Sequence, residues 1–242
     1  MKLTLLNLFP EILNLYGDRG NIKVLQKRCR LRNIELTVIP LSISEEIDLT
    51  DVDMVYLGGG SEKDLPKIAE KLKAHQEEFL NYRENGGVLL AVATGYPLLG
   101  NTFVAEGTSY EGLNLLNITT EPGTKKLIGN IALNSPLGVL AGFENHTGLT
   151  RLMGGATPLG TVLNGFGNNG DDKTEGAMQK NIIGTYLSGP LLPKNPEICD
   201  LLIARAIEKK YGSFPELAPI ECKYEKLAKG YVLHYGNRTH KR

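Results

Sequence analysis

Residues 87–100, GVLLAVATGYPLLG, constrain the fold more than any other stretch. Residues 88–92 form a charge-free apolar run preceded by glycine. A short uninterrupted run of this kind predicts a strand buried on both faces, as in a parallel sheet. It ends in the small residues Ala93-Thr94-Gly95, and residues 96–99 then read as the first turn of a helix. A sharp strand-to-helix turn needs small residues beside its apex. In many hydrolases that apex carries a Ser or Cys nucleophile, with backbone N–H groups around it to hold an oxyanion. The apex here is Ala93, so the chain has the frame of a nucleophile site without the nucleophile.

The flanking sequence supports a layered α/β fold. Residues 2–9 read as a first strand, and YGDRGN (16–21) as a polar turn. Residues 22–32 read as a helix with Ile22, Leu25 and Cys29 on one face, which makes Cys29 a core residue rather than a reactive thiol. Residues 35–39 and 53–57 read as strands, the second running into Gly58-Gly59-Gly60. From about Glu62, Leu65, Ile68, Ala69, Leu72 and Phe79 form one helical stripe that Asn85-Gly86-Gly87 ends. This alternation predicts a mostly parallel open sheet with helices on both faces, and ligands bind such sheets at the carboxyl ends of the strands. Two loops lie there: 58–64 and 93–95.

The second half is β-rich. Residues 127–133, 138–144, 159–163 and 181–187 read as short strands completing the same sheet, separated by turns such as GFGNNGDD (165–172). Asn195-Pro196 opens a last helix, with Asn as N-cap and Pro at the first position, and Gly212 closes it. The domain is therefore expected over 1–212, with 213–242 a C-terminal tail whose basic stretch, 223–242, is expected to be solvated and frayed.

Composition narrows the function. Lys+Arg and Asp+Glu balance at 27 each, against a nucleic-acid protein. Three scattered cysteines (Cys29, Cys199, Cys222) and four unclustered histidines (His75, His146, His234, His240) show no metal spacing, so no structural metal is expected. The glycine triplet is followed by neither GKS nor GKT and is not GxGxxG, so no ATP, NAD or other cofactor is expected. No window is apolar enough to span a bilayer, and the N-terminus reads as a strand rather than a signal peptide. The expected compartment is the cytoplasm.

Several motifs nevertheless belong together. They are YGDRGN (16–21), YLGGG (56–60), AVATGYPLLG (91–100), GFENHTG (142–148), GFGNN (165–169) and GTYLSGPLLPKNP (184–196). On these the chain to about Gly212 resembles class I glutamine amidotransferase domains of the cobyric acid synthase type, with a flavodoxin-like α/β fold. Within them it is similar to the glutaminase subunits of lipid II isoglutaminyl synthases, which work beside a Mur-ligase-like synthetase in cell-wall amidation. In active members the resemblance implies an elbow like CGGYQLLG, whose thiolate attacks the glutamine amide. A histidine in a segment like GTYLHGPLLPKNP is the base, the glycine triplet supplies part of the oxyanion site, and ammonia passes to the partner.

This chain departs from that pattern at its chemical positions. Ala93 stands for the cysteine, Thr94 for the next glycine, Pro97 for glutamine and Ser188 for the histidine. Ser61-Glu62 replace a usual Gln-Asp, and Thr147 and Leu149 a usual glycine and arginine. Thr94, one place past the apex, is expected to point away from the oxyanion site, and Cys199 lies on a buried helix face. The expectation is a pseudo-glutaminase, inactive alone, that supports or regulates a Mur-ligase-like partner. Two rivals follow. One is a sensor that holds glutamine or a related amino acid between Gly58, Gly59, Gly60 and Ala93, Thr94, Gly95, with His146 in contact. The other is an enzyme with a different nucleophile or base, drawn from Asp18, Glu62 or His146.

Overall fold

The computed structural model describes residues 1–236. The chain runs β1 (Lys2–Leu8), α1 (Arg19–Arg30), β2 (Glu35–Leu41), β3 (Met54–Leu57), α2 (Leu65–Lys73), α3 (Gln76–Glu84) and β4 (Val88–Val92). It continues through β5 (Thr102–Ala105), β6 (Thr108–Glu111), β7 (Ile118–Glu121), β8 (Leu127–Ser135), β9 (Gly138–His146) and β10 (Leu149–Leu152). Then follow β11 (Gly160–Asn164), β12 (Thr174–Glu175), β13 (Ala177–Gln179), β14 (Ile182–Thr185), α4 (Pro196–Tyr211) and α5 (Lys223–Gly236).

The charge-free run is β4, and all five of its residues are buried. It lies inside a six-stranded sheet of order β13-β14-β4-β3-β1-β2, parallel except for β13. Its side chains alternate between two cores, as a period-two strand must. Leu89 and Ala91 face Ile68, Leu72 and Phe79 of α2 and α3. Val88, Leu90 and Val92 face Leu25 of α1 and Ile198, Leu202 and Ile203 of α4. Burying one such Leu, Ile or Phe contributes about 1.5–3 kcal/mol. The expected mostly parallel α/β sheet is therefore present, with β4 held from both sides.

Three details differ from expectation. The stripe from Leu65 to Phe79 lies on two helices, because His75 leaves helical geometry (φ −112°, ψ 20°). Its ring nitrogens each lie 3.1 Å from a carboxylate oxygen, of Glu78 and of Glu46. Leu72 and Phe79, a heptad apart, face the core on either side of the break, so periodicity does not register it. After the elbow no helix forms: one 3-10 turn at Pro97–Leu99 ends at the extended Gly100, whose neighbour Asn101 donates to Ile118 O. YGDRGN is likewise not a plain turn; it makes a 3-10 turn at Leu15–Gly17 and then starts α1.

The largest difference lies in the second half. Only β13 and β14 complete the main sheet. The rest builds two further four-stranded sheets, β10-β7-β5-β6 and β12-β11-β8-β9. The reason is the β8–β9 hairpin, paired from Leu127↔His146 to Ser135↔Gly138. Nine-residue strands joined by a tight turn satisfy each other and need no place in the parallel sheet. The tail is not frayed over 223–236 either. There α5 packs on β8 and β9, buries Val232, and fixes Lys229 Nζ to Glu197 Oε1 (2.8 Å) and Val139 O (2.8 Å). His240 and the last basic residues lie outside the described residues. No helix among those described is long and apolar enough to cross a membrane.

Candidate functional site: an elbow without its nucleophile

Ala93 leaves β4 with φ +51°, a left-handed conformation that is costly for a residue with a Cβ. The chain then closes a 3-10 turn, Ala93–Gly95, in which Tyr96 N–H donates to Ala93 O. This is the strained backbone of a nucleophile elbow. The register Leu57↔Ala91 brings the glycine triplet alongside it. A Cβ built on Gly59 would stand 2.8 Å from the Ala93 methyl, so only glycine allows this approach. Gly95 is pressed as closely, since its Cβ would lie 2.5 Å from Gly58 O.

The loop's amides are already engaged. Gly59 N–H donates to Asp18 Oδ2 (2.6 Å). Gly60 N–H donates to Thr94 Oγ1 (2.7 Å), and the Thr94 hydroxyl returns a bond to Gly60 O (3.0 Å). Thr94 therefore points toward the glycine loop, not away from it. The left-handed apex turns the next side chain back across the loop, a rotation that position counting does not capture. Asp18 is buried, which raises its pKa to about 6. Asn21 ties the region together: its Nδ2 donates to Tyr56 Oη (2.7 Å) and its Oδ1 accepts Leu192 N–H (2.8 Å). Three of the sequence motifs thus meet at one buried amide.

Ser188 follows β14, whose Thr185 pairs with Val92. It is buried, and its hydroxyl donates to Phe143 O (2.8 Å) while its backbone bridges the edge of β9. A hydroxyl bound this way has no basic atom comparable to an imidazole. Of the cysteines, Cys29 and Cys199 lie in the core between α1 and α4. Burial pushes both thiols up, Cys29 to about 12. Cys222 lies beside Arg28, whose Nη1 donates to its Sγ (3.4 Å), before α5. None belongs to the elbow.

Asp18, Glu62 and His146 are not joined by hydrogen bonds to one another. Asp18 takes Gly59, Glu62 Oε1 accepts from Thr147 Oγ1 (3.1 Å), and His146 Nδ1 lies 2.8 Å from Gly148 O. A carbonyl only accepts, so the His146 proton is on Nδ1. Among the described residues no group of three or more His, Cys, Asp or Glu is placed to hold a metal ion.

Beside the elbow lies a buried polar group, of which the sequence singled out His146 with its neighbour Glu144 but not Glu175. His146 stacks on Tyr186 with ring centroids 3.6 Å apart, and Tyr96 meets Tyr186 edge-on. Glu144 Oε1 and Oε2 accept Phe166 N–H (2.7 Å) and Gly167 N–H (2.9 Å). Glu175 Oε1 accepts Thr185 Oγ1 (2.6 Å) and Tyr186 N–H (2.8 Å), while its Oε2 makes no hydrogen bond among the described residues. Burial raises both carboxyls to about 7 and lowers His146 to about 4. Glu144 stands beside His146 in the sequence, but Glu175, at the end of the two-residue β12, follows a polar stretch and carries no local signal.

These shifts predict a pH effect. A carboxyl raised by folding holds its proton more tightly folded than unfolded. Its contribution is complete below its unfolded pKa near 4.5 and is lost as pH rises through about 7. His146 acts oppositely, contributing above about 6.5 and losing that as pH falls through about 4. Comparing wild type with Glu175→Gln cancels the histidine. The stability difference should move in favour of the variant by about 1–3 kcal/mol between pH 5 and pH 8. Urea midpoints at the two pH values measure it; a pH-independent difference would refute the assignment.

Comparison with known proteins places the chain's family and fold. A CobB/CobQ-like glutamine amidotransferase domain model matches residues 6–196. The GatD subunit of lipid II isoglutaminyl synthase (glutamine-hydrolyzing) from Staphylococcus aureus is 38% identical over 242 residues, covering 99% of this chain and 98% of its own. The Streptococcus pneumoniae GatD subunit is 35% identical over 224 residues, 91% of this chain and 86% of its own. A probable cobyric acid synthase from Methanococcus vannielii is 33% identical over 147 residues, covering 55% of this chain and 28% of its own. Among solved structures, a glutamine amidotransferase aligns with TM-score 0.59 at 18% identity, covering 83% of this chain and 98% of its own. Another, from Thermotoga maritima, aligns with TM-score 0.54 at 15% identity, covering 95% and 93%.

Proposed function

This chain belongs to the CobB/CobQ-like glutamine amidotransferase family, and on that premise we propose that it is a pseudo-glutaminase. It pairs with a Mur-ligase-like synthetase, which it stabilises or regulates, in the amidation of a cell-wall precursor. The synthetase then uses free ammonia or ammonia from another source. The observation that carries this reading is the elbow itself. Its backbone is held at φ +51° against the glycine loop, yet the apex is a methyl group. Beside it, the Ser188 hydroxyl is committed to Phe143 O. Relatives named as glutamine-hydrolyzing synthase subunits, similar over nearly the whole chain, support the amidotransferase-subunit role.

The test is amidation by the co-expressed pair. With glutamine as the only nitrogen source, ammonia release stays at the enzyme-free rate and no acceptor is amidated. With ammonium chloride the synthetase amidates its acceptor, and does so better with this chain than without it. Glutamine-dependent amidation in the absence of any other glutaminase would refute the proposal.

A further inference from the structure

We infer that Thr94 is a built-in stopper of the oxyanion position, so that loss of the nucleophile is only half of what silences this site. The inference rests on reading the elbow as a glutaminase frame. A Cβ on Gly59 would stand 2.8 Å from the Ala93 methyl, so the glycine loop passes directly against the apex. The next amide along the loop, Gly60 N–H, is therefore the donor beside the place where an apex nucleophile would form its bond. An oxyanion site needs such a donor unpaired and preorganised. Here Thr94 Oγ1 accepts that N–H at 2.7 Å and donates to the carbonyl of the same residue at 3.0 Å. One hydroxyl satisfies both main-chain polar groups of Gly60. The neighbouring donor, Gly59 N–H, is held by Asp18 at 2.6 Å. A ligand carbonyl entering the elbow would have to displace a two-bond contact already made inside the protein. A substituent on residue 94 is needed for this, because a glycine there has no atom to reach across the loop.

Two consequences follow. The wild-type elbow does not hold the amide of glutamine, which removes the basis for a sensor at this position. And a thiol restored at the apex lacks the loop's Gly60 donor until residue 94 is also changed.

The test introduces a thiol with A93C, alone and with T94G, and treats both proteins with a chloroketone analogue of glutamine. In the reaction the thiolate sulfur forms a bond to the halogen-bearing carbon and chloride leaves. Intact-mass spectrometry follows the adduct. Iodoacetamide, which needs no oxyanion donor, labels both variants at similar rates and reports the exposure of the thiol. The chloroketone is expected to label A93C/T94G at least tenfold faster than A93C. Equal rates in the two variants would overturn the inference. A second measurement avoids both changes of shape. T94V keeps the side-chain volume and removes the hydroxyl, and Gly60 amide exchange should then rise at least tenfold over wild type; unchanged protection would also overturn it. Glutamine-dependent amidation by the wild-type pair would defeat the proposed function while leaving both of these comparisons standing.

Discussion

Gly184→Ala destabilises the protein by about 3 kcal/mol or more, lowering the melting temperature by about 6–12 °C. Gly184 lies on β14, next to β4, and has an ordinary backbone conformation that alanine can adopt. The cost is purely steric. A Cβ there would stand 2.1 Å from Tyr96 Cδ2 and 2.7 Å from Cε2. Tyr96 cannot yield. It is fully buried, meets Tyr186 edge-on at 5.0 Å, and holds Asn168 Oδ1 at 3.2 Å. Because Tyr96 N–H also closes the elbow turn, the variant should loosen the site along with the core. Gly154→Ala is the control: nothing lies within 4 Å of its would-be Cβ, and its change should stay within about 0.5 kcal/mol. Thermal melts of the two proteins decide the matter, and equal losses would show that the close approach at Gly184 is not rigid.

Asn195→Ala is expected to cost about 2–4 kcal/mol, which is large for the removal of one small polar side chain. Asn195 precedes α4 and was expected to cap it, yet its side chain accepts no helix N–H. It faces the other way. Oδ1 accepts Ala141 N–H (2.9 Å), and Nδ2 donates to Ala141 O (2.8 Å) and Leu191 O (2.8 Å). Ala141 is on β9, the edge strand of its sheet. The amide therefore acts as a short segment of missing strand, next to the backbone bridge from Ser188 to Phe143. Without it a buried N–H and C=O of Ala141 lose their partners. Urea unfolding gives the stability, and hydrogen exchange at Ala141 reports the location. Full protection of that amide in the variant would mean that another group had replaced the clamp. The same test bears on the site, because this edge carries the Phe143 carbonyl that engages Ser188.

Ser188 and Asn195 both hold the β9 edge. GTYLSGPLLPKNP carries the residues whose bonds hold that edge and the Asn21 contact at Leu192. Ser188, where the family resemblance leads one to expect a base, serves the edge through its hydroxyl and its backbone.

Local chemistry made much of this legible. An uncharged run bounded by glycine is stable only where both strand faces are buried, so β4 and the parallel core could be read directly. Small residues after it demanded a tight turn, and the motif set pointed to the family and to the missing cysteine and histidine at Ala93 and Ser188. Those conclusions depend on residues adjacent in sequence or on spacing within one element. Periodicity could not register the break at His75, because Leu72 and Phe79 remain in phase across it. The hairpin that draws β8 and β9 out of the main sheet, and the folding of α5 upon it, are choices between distant pairings that local pattern leaves open. The tertiary structure alone decided where polar side chains spend their bonds. Thr94 and Gly60 are 34 positions apart, Ser188 and Phe143 are 45, and Glu175 is buried by segments that say nothing of it. Adjacent residues in the sequence put alanine at the apex and serine after β14; the fold, through contacts between distant segments, bonds Thr94 to Gly60 and Ser188 to Phe143.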